Sequence, residues 1–143
     1  MTARGGVPVA RRVDDLLARA DAELAAAVLA ADPGERFVHA HLAALRSAAA
    51  VVALHGDAPR GRARAVWELL TRVEPELAAW SVYFASGARL RAAVDAGFGD
   101  DVPPARADEL LACAEDFRDE VGLRVDPGAG FALSGRGAAT AAS

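Results

Sequence analysis

The sequence predicts an all-α domain, an antiparallel bundle of four main helices, and three observations carry that expectation. Apolar residues recur at three- and four-residue spacing through nearly all of 13–125. Alanine, the strongest intrinsic helix former, fills 37 of the 143 positions. No strand pattern or internal repeat competes with the helical rhythm.

The elements follow in order. Residues 1–12 carry Gly, Arg and Pro8 without periodicity and read as a flexible arm. A first helix is expected over Val13–Ala31, with Leu16, Leu17, Ala20, Leu24, Ala27 and Val28 on its apolar side. Asp32-Pro33-Gly34-Glu35 then restarts the chain. Asp32 is a side-chain cap, Pro33 suits the first helical position, and Glu35 stands where a capping box places its carboxylate. The second helix runs from Pro33 to about Leu54, with Gly56 as its terminator. After a polar loop at 57–64, a third segment starts near Ala65. Its rhythm of Trp67, Leu70, Val73, Leu77, Trp80 and Phe84 continues to about Gly97, and Pro75 marks where it kinks or splits. A turn at 99–104 precedes the last helix, about Ala105–Leu123. Residues 126–143, rich in Gly and Ala, read as a disordered tail, leaving one domain over 13–125. The predicted core is Leu17, Leu24, Leu45, Val52, Leu70, Leu77, Trp80, Phe84, Leu111 and Phe117.

Composition narrows the function classes. A formal charge of −4 argues against a molecule that binds polyanions over its whole surface. All 16 basic residues are Arg, and Lys, Ile, Asn and Gln are absent together. That pattern reflects a GC-rich coding bias, so it says little about phosphate recognition. A single cysteine, Cys113, excludes an internal disulfide and a Cys-rich zinc site. The longest uncharged stretches, 47–56 and 77–88, fall short of the ~18 apolar residues of a membrane span. No secretory h-region is visible, and the expected location is cytoplasmic.

Most of the chemistry-bearing candidates lie on the second helix. At about 100° per residue, His39 and His41 point in nearly opposite directions and cannot share a metal ion, so neither metal nor cofactor is expected. His41 sits centrally on the apolar face with Phe37, Leu45, Ala48 and Val52. Its two readings are a packed, hydrogen-bonded core histidine and a general acid–base lining a groove. His39 and Arg46 alternate with Ala43 and Ala50, a strip of small and polar residues that suits close approach by a second subunit.

Arg36-Phe37-Val38-His39-Ala40-His41-Leu42-Ala43-Ala44-Leu45-Arg46, then Val66-Trp67-Glu68-Leu69-Leu70, Pro75-Glu76-Leu77-Ala78-Ala79-Trp80, Ala96-Gly97 and Ala107-Asp108-Glu109-Leu110-Leu111, resemble an actinobacterial branch of the HEPN superfamily. The resemblance covers about residues 13–125 and implies a small all-α domain. Many HEPN domains are metal-independent ribonucleases with an Arg, four to six residues, then His, paired across a dimer. Arg36 and His41 match that bare spacing, which implies a nuclease in which His41 moves protons and Arg36 stabilises phosphate charge. Phe37 stands where such nucleases commonly carry a polar residue after the Arg. Five steps of a straight helix also set Arg36 and His41 about 140° apart.

Other sites follow from charge. Arg60, Arg62 and Arg64 alternate with small residues and could hold phosphates, with no aromatic interleaved for base stacking. Residues 1–64 hold nine Arg against seven acids, whereas 65–143 hold seven against thirteen, concentrated on the last helix. Cys113 lacks a basic neighbour and Ser134 lacks a His or Asp constellation, so neither reads as a nucleophile. The leading expectation is a non-enzymatic HEPN-like helical module, homodimeric, with an interaction or regulatory role. The alternatives are a metal-independent endoribonuclease using Arg36 and His41, and an RNA or nucleotide binder using the loop Arg60–Arg64.

Overall fold

The computed structural model describes residues 8–56 and 63–126, with the backbone alone at 63 and 64. Every element that those residues form is a helix, and no strand occurs among them. Helices α1 (Val9–Leu29) and α2 (Pro33–Leu54) are joined by three residues and pack along each other. The short connection makes them antiparallel. Then come α3 (Ala63–Val73), a 3₁₀ turn at Pro75–Leu77, α4 (Ala78–Ser86), α5 (Ala88–Asp95), a second 3₁₀ turn at Gly99–Asp101 and α6 (Pro104–Val125). The expected tail, 126–143, lies outside the described residues apart from Asp126, as do 1–7 of the arm. Its residues 9–12 are the first turn of α1. Pro8 stands at the cap and its carbonyl accepts from Arg12 N at 3.1 Å, so the helix starts one turn earlier than the apolar pattern suggests.

Local chemistry sets the boundaries of α2. The Asp32 carboxylate accepts from Glu35 N at 2.9 Å and satisfies one of the free first-turn amides, while Pro33 has no amide to satisfy. Gly56 ends the helix at φ +83°, a conformation that L side chains rarely adopt. The third expected segment is divided. Pro75 breaks it as anticipated, and Gly87 breaks it a second time between α4 and α5.

Helix α2 is the centre of the molecule, packed against α1, α3, α5 and α6. Thirteen of its 22 residues are buried, nearly all of them small or β-branched. By length and composition it is apolar enough to cross a membrane, with a mean hydropathy of 1.5, yet 67% of that window is buried inside the chain. Core packing accounts for that apolarity. Polar contacts give the helix directions. Arg36 near the start of α2 pairs with Asp108 near the start of α6, while His55 and Arg124, at the two C-terminal ends, both reach Glu74. Thus α2 and α6 run in the same sense, and α1 runs against both.

The core is an aromatic cluster. Trp67 stacks on Phe84 at 5.3 Å, and Phe117 lies 5.3 Å from Phe84 and 6.2 Å from Trp67. Of the predicted core, Leu17, Leu45, Val52, Leu70, Leu77, Phe84 and Phe117 are buried. Leu24, Trp80 and Leu111 are only partly so. Trp80 keeps an edge outward because its indole N–H donates to Glu120 at 3.1 Å, whereas Trp67 is 3% exposed.

Candidate functional site

The first turns of α2 carry both members of the Arg–His pair, and the fold sends them apart. Arg36 reaches toward the ends of α1 and α6. Its Nη1 donates to Asp108 Oδ1 at 2.7 Å and its Nη2 to the Ala30 carbonyl at 2.8 Å. That carbonyl is among the last of α1, which leaves it without a partner inside its own helix. Arg36 therefore closes a helix end and joins three helices.

His41 points to the other side and is fully buried. Its Nε2 donates to the Phe84 carbonyl at 2.9 Å, its ring stacks on Phe37 at 6.3 Å, and Trp67 meets it edge-on at 6.5 Å. A carbonyl only accepts, so the proton sits on Nε2, and Nδ1 is a bare buried acceptor with no donor among the described residues. Gly87 packs directly against both rings: a Cβ there would meet Phe37 Cζ at 3.4 Å and His41 Cδ2 at 3.5 Å, ordinary van der Waals distances. Burial lowers the His41 pKa below its ordinary value. Arg91 and Arg106 push the same way, while the Phe84 carbonyl and Asp95 partly oppose them. A neutral imidazole with its proton committed and no solvent contact is poorly placed to trade protons with a substrate.

The strip expected to face a second subunit is covered from within. Ala43 and Ala50 are fully buried, and His39 Nδ1 lies 2.7 Å from Glu23 Oε1 of α1. Small residues do allow a close helix approach here, but the approaching helix is the chain's own α1. Of the four residues, His39 and Arg46 remain half-exposed at the edge of the α1–α2 seam. Arg60 and Arg62 lie outside the described residues, as does the Arg64 side chain. No group of three or more His, Cys, Asp or Glu is assembled for a metal ion among the described residues.

Two polar clusters were not foreseen. Beside the His41 chamber, Arg106 lies over the Phe37 and Tyr83 rings at 5.3 and 5.6 Å and donates to the Tyr83 hydroxyl at 3.1 Å. Tyr83 donates in turn to Glu109 at 2.7 Å. Burial, and then that carboxylate, raise the Tyr83 pKa above its ordinary value, so the phenol stays protonated. At the opposite end, Glu74 holds His55 at 2.9 Å and Arg124 at 2.7 Å, and Arg124 also reaches Glu76 at 3.1 Å. The one sequence signal for the first cluster was the i, i+3 spacing of Arg106 and Glu109. Tyr83 and Glu74 find their partners across 26 and 50 positions, beyond any local pattern.

No curated protein and no solved structure matches the chain. A family model does. The SAV_6107-like HEPN model matches residues 25–122, which run from the last turns of α1 to the last turn of α6 and include both Arg36 and His41. With most of the chain matched and every described element helical, the protein belongs to the SAV_6107-like HEPN family.

Proposed function

We propose that this chain is a non-enzymatic HEPN module, a cytoplasmic homodimer with an interaction or regulatory role. In this reading, α3 to α5 form one broken arm of a four-segment helical bundle. The observation that carries the proposal is the divergence of Arg36 and His41. One is held by Asp108 and the Ala30 carbonyl, and the other is sealed under Phe37, Trp67 and Gly87. Ribonuclease chemistry needs both groups beside one phosphate, with at least one able to exchange a proton. Among the described residues Arg12, Arg19 and Arg46 on α1 and α2, and Glu115, Asp116 and Asp119 on α6, enter no ion pair, which leaves charges of both signs free to meet a second copy of the chain.

The test is cleavage of a fluorescent single-stranded RNA by the purified full-length chain in the presence of a chelator. The expected result is intact RNA, with Arg36→Ala and His41→Ala altering only stability. Cleavage that disappears in both variants, with their helical circular dichroism retained, would establish the alternative, a metal-independent endoribonuclease.

A further inference from the structure

We propose that α5 is a hinged cover over the His41 chamber, latched while the imidazole is neutral and released when it takes a second proton.

Among the described helices, α5 alone places no residue fully in the core. Leu90 and Val94 lean on that core and are partly buried, and a Cβ on Gly99 would meet Val94 Cγ1 at 3.3 Å. The one ion pair of α5, Arg91 with Asp95, lies within the helix itself. Among the described residues no side-chain hydrogen bond or salt bridge joins α5 to another element. Glycines stand at both of its ends. Gly87 separates it from α4, and Gly97, at φ +98°, follows its last turn. An element that buries so little apolar surface opens at a lower free energy than the helices around it.

His41 lies under the junction at which α5 begins. Its Nε2 holds the Phe84 carbonyl at 2.9 Å, and its Cδ2 edge packs on Gly87. Both contacts suit a neutral ring. A second proton would sit on Nδ1, which is buried and has no hydrogen-bond partner among the described residues. Burial is the largest cost of that charge. Arg91 of α5 and Arg106 of α6 repel it, whereas the Phe84 carbonyl of α4 and Asp95 of α5 favour it. Helix α3 presents Trp67, which does not titrate, Tyr83 of α4 is committed to Glu109, and Arg36 of α2 is turned to Asp108. The imidazolium must therefore reach water, and the walls of the chamber differ in what they can yield. Trp67 is packed on Phe84 and Phe117, and Phe37 belongs to the firmly held start of α2. Moving α5 outward gives up only the contacts of Leu90 and Val94, and it removes Arg91, whose repulsion outweighs the attraction of Asp95. In the open form His41 regains its ordinary value of 6.5, while in the closed form it lies lower. Opening thus becomes easier as pH falls below about 6.5 and levels off below the closed-form value.

Amide hydrogen exchange of the full chain at about pH 7.5 and pH 5, corrected for intrinsic rates, tests this in the wild type, His41→Leu and His41→Gln. The glutamine keeps a donor for the Phe84 carbonyl, so the test stands if leucine does not fold. In the wild type, residues 88–95 should be less protected than α2 at both pH values, and their opening should become about tenfold or more easier in acid. Either variant should remove that acid response from 88–95. Protection of α5 equal to that of α2 would overturn the cover, because α5 would then open only with the whole fold. An α5 opening that ignores pH would show that it leaves His41 buried, and would overturn the latch. An acid response that persists in the folded variants would assign it to another group and overturn the role of His41.

Discussion

Replacing His41 by leucine should leave the protein at least as stable at neutral pH and make it clearly more stable in mild acid. The hydrogen bond from Nε2 to the Phe84 carbonyl has a net worth of about 1 kcal/mol. Its loss does not orphan that carbonyl, which also accepts from Gly87 N at 3.0 Å. Against the loss stands the removal of Nδ1, a buried acceptor with no donor among the described residues, whose desolvation costs about 1–3 kcal/mol. Leucine also suits the walls of Phe37 and Trp67. At neutral pH the balance is near zero or slightly favourable.

Acid separates the two proteins. The folded-state pKa of His41 lies below its unfolded value of 6.5, so between those two values the unfolded chain binds the extra proton. Stability is complete above about pH 6.5, falls as pH drops through the window, and stops falling below the folded pKa. The slope is at most about 1.4 kcal/mol per pH unit, so at pH 5 the wild type has lost up to about 2 kcal/mol that the leucine variant keeps. Urea denaturation at about pH 7.5 and pH 5 measures the difference, and subtracting variant from wild type cancels every other titrating group. Equal pH dependence in the two proteins would refute the buried, neutral histidine. A variant several kcal/mol less stable at neutral pH would show that the imidazole makes contacts beyond Phe84.

Two further outcomes check the packing. Trp67→Ala should cost about 3–5 kcal/mol because the indole is enclosed by His41, Phe84 and Phe117, whereas Trp80→Ala, at a half-buried ring tied to Glu120, should cost about half as much; equal losses in chemical denaturation would contradict that ranking. Gly34→Ala should lower stability by about 1 kcal/mol despite the better helix propensity of alanine, since its Cβ would lie 3.0 Å from the Asp32 carboxylate and 3.1 Å from the Gly99 carbonyl; a higher melting temperature would mean that the second 3₁₀ turn yields freely.

What the sequence made legible was local. Asp32-Pro33 and Gly56 bounded α2 because a cap, a missing amide and a positive φ are properties of single residues. The break at Pro75 was legible for the same reason. Gly87 was not, because its φ of −85° and ψ of −6° stay near helical values and the rings it packs on, Phe37 and His41, are more than 40 positions away. The wheel placed His41 correctly on the apolar face but could not say which aromatic of another helix would enclose it, and Trp67 of α3 does so. The Ala43–Ala50 strip shows the same limit. Small residues announce a close helix contact, while the identity of the helix that comes close depends on the whole topology. For Arg36 the deciding partner, Asp108, is 72 positions distant.

The fate of the Arg–His spacing follows from how firmly α2 is set. Two side chains five residues apart on a straight helix diverge by about 140°, so convergence on one phosphate requires the helix to unwind at its start or a second chain to supply one member. The start of α2 is held three times over. Asp32 caps it, Gly34 lies so close to Gly99 that a methyl group would crowd the backbone, and Arg36 is clamped between Asp108 and the end of α1. Unwinding would break all three contacts together. A second chain meets a different obstacle, because His41 has no surface to offer it and would need Phe37 or Gly87 to move first. In this chain the same spacing joins α2 to α1 and α6 through Arg36, and to the α4–α5 junction through His41. That is why the RNA assay, in which each substitution is expected to change stability and neither to change cleavage, discriminates so directly between a helix that builds the fold and a helix that carries a reaction.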